Sequence, residues 1–153
     1  MAPVCLITGA GDGTGAACAR RFAAGGYRVA MLARTEERLR KLEGEIEGSS
    51  GYFCDVSDLE HFTATMAQVR EEMGAPSTAI HNAVTASFGT VLEADPKTFE
   101  HIFRVNTTAL MVLAQGVAPA MVKAGKGAII VTGNTSAWRG KPRFSMFAPT
   151  KAA

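Results

Sequence analysis

The sequence predicts a single α/β domain, residues 1–153, with a doubly wound parallel sheet, and three observations predict it. Short apolar runs alternate with helical periodicities along the chain, as in consecutive βαβ units. A glycine cluster follows the first apolar run with no spacer. A hydrophobic content of 47% supplies enough apolar side chains for one core.

The elements follow in order. Residues 4–7 make the first strand and run into Gly9, Gly11, Gly13 and Gly15. The next helix, near 16–24, sets Cys18 and Phe22 on one face and ends at Gly25 and Gly26. Residues 27–33 are the second strand, and Thr35 opens a helix whose Leu39, Leu42 and Ile46 share a stripe. A short third strand covers 51–54. Ser57 and Glu60 read as a capping box ahead of Phe62, Met66, Val69 and Met73, whose spacings of four, three and four are helical. The fourth strand is 77–81, with His81 at its end as a loop-orienting residue; His61 and His101 fall among charged residues and read as solvated. Asp95 as N-cap and Pro96 at the first helical position start a long helix to about Val122, which Pro119 should kink or force to restart. Residues 128–132 form a fifth strand, and 133–146 a loop leading to a helix at Phe147.

Charge excludes some functions. Sixteen Lys and Arg against 14 Asp and Glu leave +2, with no basic block to attract nucleic acid or an anionic membrane. No run reaches the ~18 consecutive apolar residues of a membrane span, and no charged n-region precedes a cleavable apolar stretch, so neither membrane nor leader is expected. Cys5, Cys18 and Cys54 lack metal-ligand or CxxC spacing and read as small buried apolar residues in a reducing, cytoplasmic setting; no metal is expected.

Residues Thr8, Gly9, Gly11, Asp12, Gly13, Thr14 and Gly15 lie between a predicted strand and a predicted helix. There, glycines let backbone amides approach a pyrophosphate at the helix N-terminus, the Rossmann-type arrangement. The register within the loop stays open, because Gly11, Gly13 and Ala16 also fit the GxGxxG/A variant. Sites for NAD place an acid after the second strand, whereas an arginine suits a 2′-phosphate. Ala33-Arg34 stands here with no acid before Glu36, which points to NADP(H) over NAD, with Arg34 either at the phosphate or simply exposed at a helix entrance. Asn106, four residues from both Ile102 and Leu110, puts an amide on an apolar helix face and must find partners there.

The spacing of Thr8, Gly9, Gly13 and Gly15 resembles the loop of the short-chain dehydrogenase/reductase family. Asp55-Val56 is similar to that family's adenine contact, 81–84 to its Asn-Asn-Ala-Gly loop, and Val105-Asn106 to its mid-helix asparagine. The resemblance covers essentially the whole chain. It implies a nicotinamide cofactor, with Asp55 and Val56 at adenine and Asn82 and Ala83 near the inner ribose. It also implies hydride transfer to or from a small-molecule carbonyl or alcohol. The family's asparagine helps hold an active-site lysine through water; Asn106 either does so or is a core amide bonded to neighbouring backbone.

The family's Tyr-x-x-x-Lys pair sets both side chains on one helical face, so that lysine lowers the tyrosine pKa and tyrosine passes the proton. The matching residues here are Phe147 and Lys151, and phenylalanine carries no transferable proton. Lys151 either holds the nicotinamide ribose or is solvated near the terminus. Counting back by the family's interval reaches Asn134 in place of serine, with Ser136 two residues on. The family's later strands have no counterpart, so the fifth strand should form an exposed edge that invites a homo-oligomer or a longer relative. Three functions compete: an oxidoreductase whose working form is longer, a non-catalytic NADP(H)-binding module, and an interaction subunit docking through that strand.

Overall fold

The computed structural model describes residues 2–153. Its five strands are β1 (Val4–Thr8), β2 (Arg28–Ala33), β3 (Ser49–Phe53), β4 (Thr78–His81) and β5 (Ala128–Val131). They form one parallel sheet in the order β3-β2-β1-β4-β5. The helices are α1 (Thr14–Ala24), α2 (Glu36–Glu45), α3 (Leu59–Met73), α4 (Pro96–Phe103), α5 (Ala109–Ala124) and α6 (Ala148–Ala152).

Side chains of a strand alternate between faces, and both faces of the inner strands are apolar. Val4, Leu6, Ala30 and Leu32 point into a core built with Phe62, Met66 and Val69 of α3 and Leu113 and Val117 of α5. Cys5, Ile7, Val29 and Met31 point the other way, onto Ala16 and Ala19 of α1 and Leu39 and Leu42 of α2. The strand order reverses between β1 and β4, so the chain leaves the carboxyl ends of these two neighbours in opposite directions. A crevice opens there, the place where sheets of this kind bind ligands.

Several expectations need correcting. The cap of α3 is Asp58, whose carboxylate accepts from the His61 amide at 3.0 Å, while Ser57 turns its hydroxyl to Asp55 at 2.8 Å. The third strand starts two residues earlier than expected, at Ser49. Pro119 neither ends nor restarts its helix, because α5 continues to Ala124. Pro119 and Gln115, whose carbonyl loses its helical partner, are both exposed to water. Cys18 is half-buried, unlike Cys5 and Cys54.

The predicted long helix is interrupted by a π-helical turn, Arg104–Thr108, between α4 and α5. Beyond it the core-facing residues are Ala109, Leu113, Val117 and Met121, so Ala109 takes the place expected of Leu110. The composite helix Pro96–Ala124 is long and apolar enough to cross a membrane by length and composition. Its buried stripe lies against the sheet and α3, as in the core helix of an α/β domain. β5 is exposed along its whole length.

Candidate functional site

The glycine loop joins β1 to α1 at the crevice. Gly9 has φ +69, and a Cβ there would lie 2.6 Å from the Ala83 amide nitrogen. A Cβ on Gly15 would overlap the Gly9 carbonyl oxygen. These two glycines therefore serve close packing within the protein. Gly11 and Gly13 differ: a Cβ on Gly11 would meet only the Arg38 guanidinium, at 4.0 Å, and one on Gly13 nothing within 4 Å. Of the four glycines expected around a pyrophosphate, these two face open space. No side chain caps α1 and no acid stands in its first turn; the Ala16 amide donates to the Gly11 carbonyl at 3.0 Å, which leaves the Thr14 and Gly15 end and its positive dipole toward an anion. The loop fits a phosphate on those grounds. Asp12 and Thr14 are exposed on it.

Thr8 is fully buried and its hydroxyl is used internally, which removes it from the ligand-facing set. Its Oγ1 accepts from the Asn82 and Ala83 amides, both at 3.3 Å, and lies 3.1 Å from His81 Nδ1. His81 Nε2 lies 3.1 Å from the Val105 carbonyl, which can only accept. Burial pushes the imidazole pKa down to about 4, so the ring is neutral, Nε2 carries the proton and Thr8 donates to Nδ1. Asn82 adds Nδ2–H to the Gly9 carbonyl at 2.8 Å. This chain of bonds fixes the β4 loop against the glycine loop.

Between them lies a cleft of about 230 Å³. Pockets for drug-sized ligands span roughly 300–1,000 Å³, so this space is smaller than a whole site of that kind. Gly9 and Gly11 form one wall, Arg34 and Arg38 a second, Asp55 and Val56 a third, and residues 82–85 close it over Val105. Arg34 Nη1 is 3.9 Å from Asp55 Oδ2. Burial pushes the Asp55 carboxyl up, but the Ser57 amide and hydroxyl and the Arg34 charge outweigh it, and the net shift is down. Arg38 Nε is 3.3 Å from Asp12 Oδ2. Sequence reasoning missed Arg38; its signal was the spacing of four from Arg34, in the first turn of α2.

Asn106 sits in the π-helical turn and is buried. Its Oδ1 accepts from the Thr85 amide at 3.0 Å, and its Nδ2 donates to the Thr85 carbonyl at 3.0 Å and to Thr150 Oγ1 at 2.9 Å. It thus reaches α6 through the neighbour of Lys151. Lys151 Nζ donates to the Thr132 carbonyl at 3.1 Å and lies 5.9 Å from the centre of the Phe147 ring, and burial lowers its pKa. Phe147 is buried beneath the half-buried Phe144 and the exposed Phe88, ring centres 6.1 and 5.8 Å away. Asn134 uses its side chain to accept the Ser136 amide, at 2.9 Å. The Ser136 hydroxyl is buried without a partner.

Comparison with known proteins agrees with this geometry. The family described as short chain dehydrogenase matches residues 3–153. The versicolorin reductase stcU of Emericella nidulans is 32% identical over 98% of this chain and 58% of its own. A crystal structure of a metagenomic short-chain oxidoreductase in complex with NADP is 29% identical, with a TM-score of 0.93 over 97% of this chain and 70% of that one. That of an NAD⁺-bound xylitol dehydrogenase is 28% identical, with a TM-score of 0.91 over 99% of this chain and 60% of that one. The chain spans just over half the length of the curated relatives it matches, 56% and 58% for two of them.

Proposed function

The chain belongs to the short chain dehydrogenase family, and from that premise we propose that it binds NADP(H) in the service of carbonyl or alcohol oxidoreduction. One observation carries the choice of cofactor: the cleft wall after β2 presents Arg34 where an NAD site needs an acid. In this reading the backbone of Asp12, Gly13 and Thr14 takes the pyrophosphate, Gly11 leaves room for it, and Gly9, Gly15 and Thr8 hold the loop in shape. Arg34 meets the 2′-phosphate, Asp55 and Val56 border adenine, and Asn82 and Ala83 border the inner ribose. Lys151 holds the nicotinamide ribose, and Asn106 positions the helix that carries it. The bound nicotinamide supplies or accepts the hydride. The setting is cytosolic; three free thiols suit a reducing compartment.

Isothermal calorimetry with NADP⁺ and NAD⁺ tests the proposal. NADP⁺ should bind at least tenfold more tightly, and Arg34→Ala should weaken it about tenfold, as expected for charge-assisted hydrogen bonds partly exposed to water. Equal affinities, or an Arg34→Ala protein unchanged toward NADP⁺, would overturn it.

A second reading, a module that binds NADP(H) without turnover, is favoured by Phe147, since a positioned acid contributes ~10²- to 10⁴-fold to such reactions. Phe147→Tyr in a form of the protein as long as its relatives separates the two. Carbonyl reduction should rise by about 10²-fold if the tyrosine restores the proton route. An unchanged rate would assign the proton to another donor. Self-association, or pairing with a longer relative, through β5 completes the proposal.

A further inference from the structure

The cleft holds a second cation beside Arg34, and it is paired with a carboxylate from an unexpected element. Arg38, on the first turn of α2, reaches back across the mouth of the cleft to Asp12 of the glycine loop. Asp12 engages the Nε edge of the guanidinium, and Nη1 lies 4.0 Å from where a Cβ on Gly11 would sit. A guanidinium has five N–H donors, so Arg38 keeps donors beyond Nε, with Nη1 on the open side of the loop at Gly11. Arg34 is held in the same manner, with Asp55 across the cleft at 3.9 Å. Both arginine side chains are more than half exposed, 63% and 55%, so neither pair is locked by burial.

The cleft and its mouth thus set two arginines against two aspartates, Asp55 in the lining and Asp12 at the rim. An entering phosphate dianion is attracted by both arginines, whose planar forks suit phosphate oxygens, and repelled by both carboxylates. Asp12 is the carboxylate of the glycine loop and stands next to Gly11, at the approach to Arg38.

We propose that Arg38 is a second cofactor-selecting cation, and that Asp12, by pairing with it, limits its pull on a 2′-phosphate. The inference rests on the NADP(H) reading and adds to it. Arg34 sets the preference and Arg38 strengthens it. Asp12 keeps the preference below what two unopposed arginines would give. Both residues act on the phosphate of the ligand and take no part in hydride transfer.

Calorimetry on the whole chain with NADP⁺, NAD⁺, 2′,5′-ADP and 5′-AMP tests this without any turnover. Arg38→Gln should lower the NADP⁺/NAD⁺ affinity ratio about tenfold. The 2′,5′-ADP/5′-AMP ratio should fall in parallel, because only the 2′-phosphate distinguishes those probes. Asp12→Asn should raise both ratios by roughly two- to fivefold, the range of an exposed ion pair. Ratios within twofold of the wild type in Arg38→Gln, or a fall in Asp12→Asn, would overturn the inference while leaving the Arg34 reading intact. Absence of heat with every nucleotide would sink the cofactor reading and this inference together.

Discussion

Gly9 and Gly11 stand two residues apart and are glycine for opposite reasons. Gly9 needs a left-handed backbone, φ +69, and has the Ala83 backbone where a side chain would go. Gly9→Ala should destabilise the fold by more than about 2 kcal/mol in urea denaturation. Gly11→Ala has room and should leave stability within about 1 kcal/mol while weakening NADP⁺ binding. Equal losses of stability would refute the division between packing and ligand faces. His81 belongs to the same scale. The unfolded chain protonates it near pH 6.5, whereas the folded ring resists until about pH 4, so the neutral ring's stability is present above 6.5 and lost as pH falls through this window, about 3 kcal/mol in all. Urea midpoints between pH 7.5 and 4.5 should drop steeply for the wild type and less for His81→Asn; parallel curves would exclude this origin. Of the cleft-lining residues, Arg34 was legible from its charge after the second strand, and Asp55 and Asn82 from the family resemblance. Arg38 was not, since an arginine on a charged helix face looks like any solvated one until the chain folds back toward Asp12.

Between α4 and α5 the π-helical turn decides where Asn106 points. A fourfold spacing from Ile102 read the burial of Asn106 correctly and then misplaced Leu110. A widened turn is a hydrogen-bonding event with no residue signature in Arg104–Thr108. Its amide closes the loop after β4 onto α6 through Thr85 and Thr150. Asn106→Ala strands the Thr85 amide and carbonyl, at a cost of about 2–4 kcal/mol. Hydrogen exchange at the Thr85 amide should accelerate together with the loss of stability. Preserved protection at Thr85 would mean that the loop is held by other contacts. The cap of α3 was misread for a related reason: Ser57 and Asp58 both suit an N-cap, and only the turn around Asp55 decides between them.

Across the whole molecule, strand positions and the two-sided core were legible from apolar runs, because each inner strand is buried on both faces. Strand order came through the glycine loop and the family resemblance, which no run of residues encodes alone. The edge at β5 was foreseen and is present, with Ile129, Ile130 and Val131 at 38%, 44% and 44% exposure. Such an edge offers unpaired backbone to another strand. Light scattering of the 153-residue chain should show concentration-dependent association that Ile130→Lys suppresses. An unaltered association in that variant would place the contact elsewhere.

The register of β1 with β4 has a consequence for synthesis. Thr8 pairs with His81 across 73 positions, and at ~5–20 residues per second the ribosome needs about 4–15 s to deliver the second partner after the first. During that interval the future centre of the sheet can pair only with β2, and its other side lies bare to solvent. Chaperone capture of the nascent chain is therefore expected to peak after β3 has emerged and to subside once residues 78–81 clear the exit tunnel.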